Sequence, residues 1–415
     1  METELERERK AENTAYRWVI AFACFVLMFV TMGFGNSPNG QYLGPVTKEF
    51  GLSRADFALT FSMRYLFTTA FNLLWGRMYL KMGARNLAGL GVVSLAGAFF
   101  LFSVSGSLPM FYAGGALQGF AIAFCTTATC SSLINDWFDE HKGTVLGVVF
   151  AASGLGGAAG NFFVARWIAE HGWRYSYRLC AMLILGIGMA LVLFMRSRRG
   201  AKTPAAKKSS AHPVWEGVPL EVLHKKAYFY VLFPLVFVMG WLCNPVYTIA
   251  PAHLVDRGFD PVFAGQITGI LFFVLGVAKI LGGFIYDRLG LKPFFLLCCA
   301  SGIGALLVLS GASSTTSAIA FAVLIGFALP VETIMIPLLV MNLIGQKAYN
   351  SVIGIFFALM SGGMAFGNPL INFLYGKCGS YTPVLIGYAG LFALCALVFL
   401  WCSAQARKLK EAQAQ

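Results

Sequence analysis

Apolar stretches long enough to cross a membrane recur along this chain of 415 residues and restrict the folds open to it. A helix needs about 20 apolar residues to span the hydrocarbon core, and we identify twelve stretches of that kind. They are 18–36, 55–80, 87–105, 108–134, 143–166, 177–195, 228–252, 263–286, 293–311, 317–344, 350–375 and 381–402. Only 12% of the residues are charged, against about 25% in soluble domains, so the sequence predicts an all-α polytopic membrane protein.

The two halves of the chain share residues at one fixed offset of 207 positions. Gly83 pairs with Gly290 and Gly76 with Gly283. The same offset, without a gap, relates Gly51 to Gly258, Gly119 to Gly326, Asn135 to Asn342, Gly147 to Gly354 and Asn161 to Asn368. We therefore predict two six-helix units, residues 1–195 and 228–415, joined by a basic linker at 196–227. Transporters built from such repeats bind their substrate near the membrane midplane, between the halves.

The basic residues are distributed unevenly between the two sides of the membrane. Most of the 31 Lys and Arg residues lie in the tails and loops that an even number of spans places on the same side as the termini. The positive-inside rule then predicts a multi-pass protein of the cell inner membrane with both termini in the cytoplasm. The formal net charge of +13 is thus a topology signal, and we expect no nucleic-acid partner.

Three ionisable side chains lie well inside predicted spans: Arg64, Lys279 and Glu332. A cation at membrane depth costs at least ~2.5 kcal/mol and usually marks a pathway or a binding site. Two cations against one acid suit the passage of a single carboxylate. We expect Lys279 to bind an anionic substrate, Arg64 to assist, and Glu332 to couple transport to protons. The alternatives are a structural ion pair between Lys279 and Glu332, and an Arg64 side chain that reaches the outer interface.

Neutral polar side chains inside the spans are weaker candidates for substrate contacts. Each of them is also suited to a hydrogen bond between helices. They are Asn36, Gln118, Asn244, Tyr247, Asn161 and Asn368.

The turn after the eighth span contains Gly283, Asp287, Arg288 and Gly290. It resembles the GxxxDRxGRR signature of the major facilitator superfamily. In such a turn the carboxylate can face a helix N-terminus and a neighbouring cation, which would latch the inner gate. The alternative is a cytoplasmic hairpin that is merely capped by charges.

The equivalent turn of the first half contains Gly76, Gly83 and Arg85, with Leu80 at the position of the acid. The glycines keep the short turn and the close helix packing, but a leucine cannot act as a carboxylate latch.

Two longer stretches resemble the bacterial monocarboxylate and oxalate–formate transporter branch of that superfamily. One is KEFGLSRA at 48–55; the other begins with Trp137 and ends with Gly172-Trp173-Arg174. The resemblance implies twelve helices in two pseudo-symmetric six-helix bundles. It also implies that a cation in the eighth span, usually arginine and here Lys279, receives the substrate carboxylate. Oxalate–formate relatives carry a lysine in span 11, where this chain has none.

These observations predict a secondary active transporter for a small monocarboxylate such as lactate, pyruvate or formate. It would work by proton symport or carboxylate exchange with alternating access, as a monomer and without a cofactor. One alternative is an exchanger of larger or dicarboxylic organic anions that uses both Arg64 and Lys279. A non-transporting sensor would need a signalling domain. An enzyme would need a metal cluster, a nucleophile elbow or a phosphate loop, and the sequence contains none of these.

Overall fold

The computed structural model describes residues 4–52, 54–138, 140–196, 217 and 220–414, and they are almost entirely helical. The first half consists of α1 (Glu4–Gly33), a 3-10 helix (Ser37–Tyr42), α2 (Leu43–Phe50), α3 (Arg54–Val104), α4 (Leu108–Cys125), α5 (Thr127–Trp137), α6 (Lys142–His171) and α7 (Trp173–Phe194). The second half consists of α8 (Leu220–Leu223), α9 (Ala227–Asp256), α10 (Pro261–Leu289), α11 (Leu291–Ser310), α12 (Thr315–Ala328), a 3-10 helix (Leu329–Glu332), α13 (Met335–Leu343), α14 (Gln346–Cys378) and α15 (Thr382–Ala414).

The described residues contain the twelve membrane-length segments that the sequence predicts. Eleven apolar helical stretches are long enough to cross a bilayer, and α3 supplies two spans because its backbone leaves the helix at Gly83, with φ 78° and ψ 166°. The chain termini therefore lie on the same side of the membrane, which we call the terminal side. Most of the predicted linker 196–227 lies outside the described residues; within it, α8 packs Leu223 into the core.

The internal repeat is visible in the backbone conformation. Three pairs of glycines that are 207 residues apart all have positive φ: Gly51 and Gly258, Gly83 and Gly290, and Gly172 and Gly379. A positive φ costs glycine little and costs other residues more. These glycines therefore fix equivalent turns in the two halves.

The fourth and tenth spans are interrupted, although hydropathy alone predicts each of them as one continuous helix. In the fourth span, α4 ends and α5 begins around Thr126, which has φ −123° and ψ −128°. In the tenth, the 3-10 turn ends at Glu332, and Thr333 has φ −128° and ψ −70°. Thr126 and Thr333 are again 207 residues apart. Non-helical backbone at membrane depth is tolerated only where protein or a water-filled cavity surrounds it, so both interruptions point away from lipid.

Two helix pairs carry the contact between the halves, α6 with α10 and α3 with α14. In the first pair, a Cβ at Gly147 would collide with the carbonyl oxygen of Lys279; in the second, a Cβ at Gly354 would collide with that of Asn72. Both contacts follow the offset of 207. The backbone frame is thus symmetric at the place where the side chains differ, a lysine in one half and an asparagine in the other.

Candidate functional site

Lys279 lies on α10 with only 3% of its surface exposed. Its ammonium donates hydrogen bonds across to α6, to Ser153 Oγ at 2.9 Å and to the carbonyl oxygen of Phe150 at 3.4 Å. Both acceptors are neutral, and an ammonium has three protons to donate. These contacts place the ammonium at the boundary between the halves.

Glu332 lies at the interruption of the tenth span, where the 3-10 turn ends. Its Oε1 atom is buried and has no hydrogen-bond partner among the described residues. The charges of Glu332 and Lys279 interact electrostatically, but within the described part of the chain the two side chains form no direct ion pair. The structural ion pair that we considered from sequence is thus reduced to an interaction over a longer distance.

Arg64 points inward from α3 and is only 7% exposed. Its Nη1 donates a hydrogen bond to Asn36 Oδ1, just after the end of α1. The guanidinium also lies over the ring of Tyr65, with 4.4 Å between its central carbon and the ring centroid. These contacts hold the side chain inside the protein, which disagrees with the alternative that Arg64 reaches the outer interface.

Gln118 on α4 lies next to this arginine site. Its Nε2 donates to the carbonyl oxygen of Gly35 at 2.7 Å, and Gly35 directly precedes Asn36. The neighbouring Gly119 packs so closely on the backbone of Arg64 that a Cβ there would collide with its carbonyl oxygen. The Gln118 Oε1 atom is buried without a partner in the described part of the chain. Asn36, Arg64 and Gln118 therefore form one polar cluster in the first half.

Tyr247 on α9 connects this cluster with the second half. Its hydroxyl accepts a hydrogen bond from Asn244 Nδ2 at 2.5 Å. It interacts electrostatically with Glu332 of the second half and with Arg64 of the first. Tyr247 is therefore a contact between the charged residues of the two halves.

The remaining two candidates for substrate contacts are Asn161 and Asn368. Asn161 on α6 donates from Nδ2 to the carbonyl oxygen of Gly157 at 2.8 Å and accepts from Gln41 Nε2 at 3.3 Å. These partners tie α6 to the 3-10 helix after α1, so in the described residues Asn161 acts as a helix contact. Asn368 belongs to α14, but its side chain lies outside the described residues.

The turn after α10 connects the halves on the terminal side. Asp287 accepts hydrogen bonds from the backbone nitrogens of Gly143 and Thr144, at 2.9 Å to Oδ1 and 2.7 Å to Oδ2. These are among the first N–H groups of α6, which have no partner within their own helix, and a carboxylate there also complements the helix dipole. A Cβ at Gly283 would collide with the carbonyl oxygen of Gly143. Arg288 lies over the ring of Phe284 at 4.1 Å, away from this contact.

The equivalent turn of the first half keeps the packing and lacks the acid. A Cβ at Gly76 would approach the carbonyl oxygen of Asn350 to 2.9 Å, which is the contact of Gly283 with Gly143 shifted by 207 residues. The side chain of Leu80 is 52% exposed and cannot accept a hydrogen bond. Arg85 is exposed. The equivalents of Gly143 and Thr144 are Asn350 and Ser351; they lie in the second turn of α14 and receive no carboxylate from this turn.

A family model described as the Major Facilitator Superfamily matches residues 20–367 and again 258–415. The chain belongs to the major facilitator superfamily. The arrangement described above is therefore the interior of a transporter of this superfamily.

Several transporters of this superfamily are similar to the chain over most of its length. An MFS-type transporter of Gibberella moniliformis is 24% identical over 92% of this chain and 88% of its own. A probable nitrate/nitrite antiporter of Thermus thermophilus is 26% identical over 99% of this chain and 96% of its own. A hexuronate transporter of Bacillus subtilis is 23% identical over 86% of this chain and 87% of its own.

Solved structures of the superfamily share the fold. The Escherichia coli fucose:proton symporter FucP has a structure in the outward conformation, which matches with a TM-score of 0.70 and 14% identity, covering 93% of this chain and 99% of the symporter. At that identity the likeness concerns the fold alone. It agrees with the predicted arrangement of twelve helices in two pseudo-symmetric bundles.

One contact between the two halves of the chain was not predicted from the sequence. Asn135 and Gln346 form a reciprocal amide pair, and Lys142, which is buried, donates to Asn135 Oδ1 at 2.9 Å. The repeat marks Asn135 because Asn342 is its equivalent. The repeat cannot indicate that Gln346 is the partner, because Gln346 lies in the other half and no glutamine stands 207 positions before it.

Two of the branch-specific motifs meet on the side opposite the terminal side. Glu49, after span 1, accepts a hydrogen bond from Trp173 Nε1 at 2.6 Å and forms an ion pair with Arg174. Arg174 in turn lies over the Trp173 ring at 4.1 Å. These motif residues stabilise the packing of α2 against α7, well away from the buried charges.

Proposed function

We propose that this chain is a secondary active transporter that moves a small monocarboxylate, of the lactate, pyruvate or formate type, by proton symport or carboxylate exchange. The observation that carries the proposal is Lys279. It is a buried ammonium at the boundary between the halves, and its hydrogen-bond acceptors are a hydroxyl and a carbonyl. An ammonium at this depth without a direct ion pair is costly, and a substrate carboxylate would supply both a charge in contact with it and a strong hydrogen bond.

The superfamily relatives support an anionic substrate. The printed names of two of them, the nitrate/nitrite antiporter and the hexuronate transporter, refer to anions. The resemblance of KEFGLSRA and of the Trp137–Arg174 region to monocarboxylate and oxalate–formate transporters points in the same direction. The missing lysine of span 11 argues against oxalate.

Glu332 is the proposed proton-coupling residue. It interacts with Lys279 over a distance and lies where the tenth helix is interrupted, and such interruptions form ion and substrate sites in transporters. A carboxylate substrate and an ionised Glu332 would compete for the same ammonium. Protonation of Glu332 would therefore favour substrate binding, and an ionised Glu332 would hold Lys279 when no substrate is present.

A second candidate is the exchange of larger or dicarboxylic organic anions. It is favoured by one observation: Arg64 and Lys279 are both buried cations and lie in different halves, on α3 and α10. A substrate with two acidic groups could contact both. The hexuronate transporter among the relatives carries, by its name, an acid larger than lactate.

Alternating access would move the two halves, residues 1–195 and 228–415, against each other around this site. The Asp287 contact and the Asn135–Gln346 pair close the terminal side in this structure. With both termini in the cytoplasm of the inner membrane, as the basic loops indicate, these contacts would lie on the cytoplasmic side. We propose that the monomer is the working unit.

The test is uptake of labelled carboxylates into proteoliposomes by the wild type, Lys279→Ala and Lys279→Arg. We expect Lys279→Ala to lower uptake by roughly 10- to 100-fold, since a hydrogen bond to a charged group contributes about 1.5–3 kcal/mol. Lys279→Arg keeps the charge and should retain part of the transport. Thermal unfolding in detergent controls for folding. Unchanged uptake by a folded Lys279→Ala protein would refute the site.

A competition panel separates the two candidate functions. Lactate, pyruvate and formate should compete with one another, whereas glucuronate and succinate should compete only if the site accepts larger or dicarboxylic anions. Fucose serves as the neutral control. Loss of competition by succinate in Arg64→Gln, with lactate unaffected, would favour the second candidate.

A further inference from the structure

A cavity of about 430 Å³ opens on the terminal side, between the beginning of α9 and the last turns of α15. Its lining includes Lys226, Tyr228, Trp401, Gln405, Lys408 and Leu409. The α15 residues of this set recur at the spacing of one helix face, so α15 presents a single side to the cavity. The cavity is remote from Lys279, Arg64 and Glu332 and is not used by the proposed transport mechanism.

Two ammonium groups flank this cavity. Lys226 and Lys408 are both exposed. Neither side chain has a hydrogen-bond or ion-pair partner among the residues that the structure describes. The adjacent Arg407, by contrast, is paired with Glu411 at 2.7 Å on another face of α15. The cavity therefore has a positive charge that the protein itself does not compensate.

Another part of the cavity wall is apolar and lies at a different depth in the membrane. Trp401 is 44% exposed, and it precedes Lys408 by seven residues, or about 10 Å along a helix. Tryptophan favours the boundary between acyl chains and headgroups, and the headgroup layer outside the hydrocarbon core is about 5–8 Å thick on each side. The lining thus changes from apolar to cationic over the distance from upper acyl chain to phosphate. A free anion would use only the cationic end.

We propose that this cavity binds an anionic glycerophospholipid of the terminal-side leaflet. The phosphate would lie between Lys226 and Lys408, with the glycerol and upper acyl chains against Trp401 and Leu409. The charge complementarity and the position of the apolar wall both favour this occupant. The inference is independent of the transported substrate.

The test uses the full chain, purified and delipidated in a non-ionic detergent, and titrated with phosphatidylglycerol or phosphatidylcholine under native mass spectrometry. We expect phosphatidylglycerol to bind more tightly. The double variant Lys226→Gln/Lys408→Gln should weaken that binding by roughly 30-fold, because each basic side chain near an anionic lipid surface contributes about a factor of five. The matched control Lys225→Gln/Arg407→Gln removes the same charge outside the cavity and should bind as the wild type does.

Three results would overturn the proposal. The first is equal binding of the two lipids by the wild type, which would indicate an apolar site. The second is an equal loss of binding in both double variants, which would indicate a general charge effect. The third is displacement of phosphatidylglycerol by millimolar inorganic phosphate, which would indicate a site for a free anion. Size-exclusion profiles and thermal unfolding without lipid check that both variants are folded.

Discussion

Asn135 and Gln346 exchange two hydrogen bonds across the boundary between the halves, from Asn135 Nδ2 to Gln346 Oε1 at 2.6 Å and from Gln346 Nε2 to Asn135 Oδ1 at 2.8 Å. Asn135 Oδ1 also accepts from Lys142 of its own half, whereas the other hydrogen bonds of the two amides depend on this pair. Under the proposed alternating access, the pair would break when the terminal side opens.

The Asn135–Gln346 pair should show energetic coupling. Asn135→Ala and Gln346→Ala should each lower the free energy of unfolding, and the double variant should lose less than their sum by about 1 kcal/mol. Denaturant unfolding in detergent measures this cycle. Asn342→Ala is the control, because Asn342 donates to Tyr286 within its own half and should not couple to Gln346. Additive losses in the Asn135–Gln346 cycle would contradict the prediction.

The two gating turns should respond differently to a change at the position of the acid. Asp287→Ala removes two hydrogen bonds at the beginning of α6 and should destabilise the closed terminal side by about 1 kcal/mol. Leu80→Asp places a carboxylate opposite Asn350 and Ser351, which lie in the second turn of α14 and whose N–H groups bond within that helix, so it should leave the closed state unchanged. Labelling of a cysteine introduced on the terminal side reports the closed fraction.

Leu80→Asn separates charge from hydrogen bonding in this experiment. Both variants should label as the wild type does, because the facing N–H groups are bonded within α14. A lower labelling rate in Leu80→Asp alone would contradict this prediction and would indicate that the dipole of α14 acts on the added charge.

Glu332→Gln should uncouple transport from protons. We expect exchange of labelled for unlabelled carboxylate to continue, since Lys279 is intact, while uptake driven by an imposed pH gradient is lost. Both are measured in the same proteoliposomes. Glu49→Gln removes an acid far from the site and should keep both activities. Gradient-driven uptake by Glu332→Gln would exclude this residue as the obligatory proton carrier.

His253, which lies beyond the apolar part of α9, should make stability depend on pH. Burial lowers its pKa below the usual value of 6.5, assisted by the charge of Arg257, and outweighs its hydrogen bond to the carbonyl oxygen of Leu309. The unfolded chain therefore binds more protons at this histidine than the folded protein does. The stability that His253 contributes is fully present above the unfolded pKa of about 6.5, and it is lost as the pH falls through the lower pKa of the folded protein. Thermal unfolding between pH 5 and 7.5 measures the effect. In His253→Gln the slope should flatten, and an unchanged slope would assign it to other groups.

The sequence predicts the helical framework of this transporter well, because the spans follow from hydropathy and the turns from the conformational freedom of glycine. The twelve spans are confirmed in the described residues, and the paired glycines mark the turns. The interruptions at Thr126 and Thr333 were not predicted, because hydropathy does not depend on backbone conformation. Pro330, in the 3-10 turn before Thr333, is a signal in the sequence that could have indicated the second interruption.

The burial of the candidate residues could be predicted in part. A charge at membrane depth marks Lys279, Arg64 and Glu332 as candidates, because burial makes each of them costly, and their role in transport stays a prediction. Whether Lys279 pairs with Glu332 or with Ser153 depends on side-chain geometry across the halves, which spacing cannot give. Asn161 illustrates the reverse case: a polar residue in a span that serves packing in this structure.

The contact of Gly147 with Lys279 has a consequence for how such a protein changes its cargo over evolutionary time. The glycine packs on the backbone carbonyl of Lys279, just as Gly354 packs on that of Asn72. These two contacts use the backbone at positions 279 and 72, and the backbone is the same for any side chain. A lineage, or an engineer, can therefore exchange these side chains and explore new substrates while the glycine packing between the halves is kept.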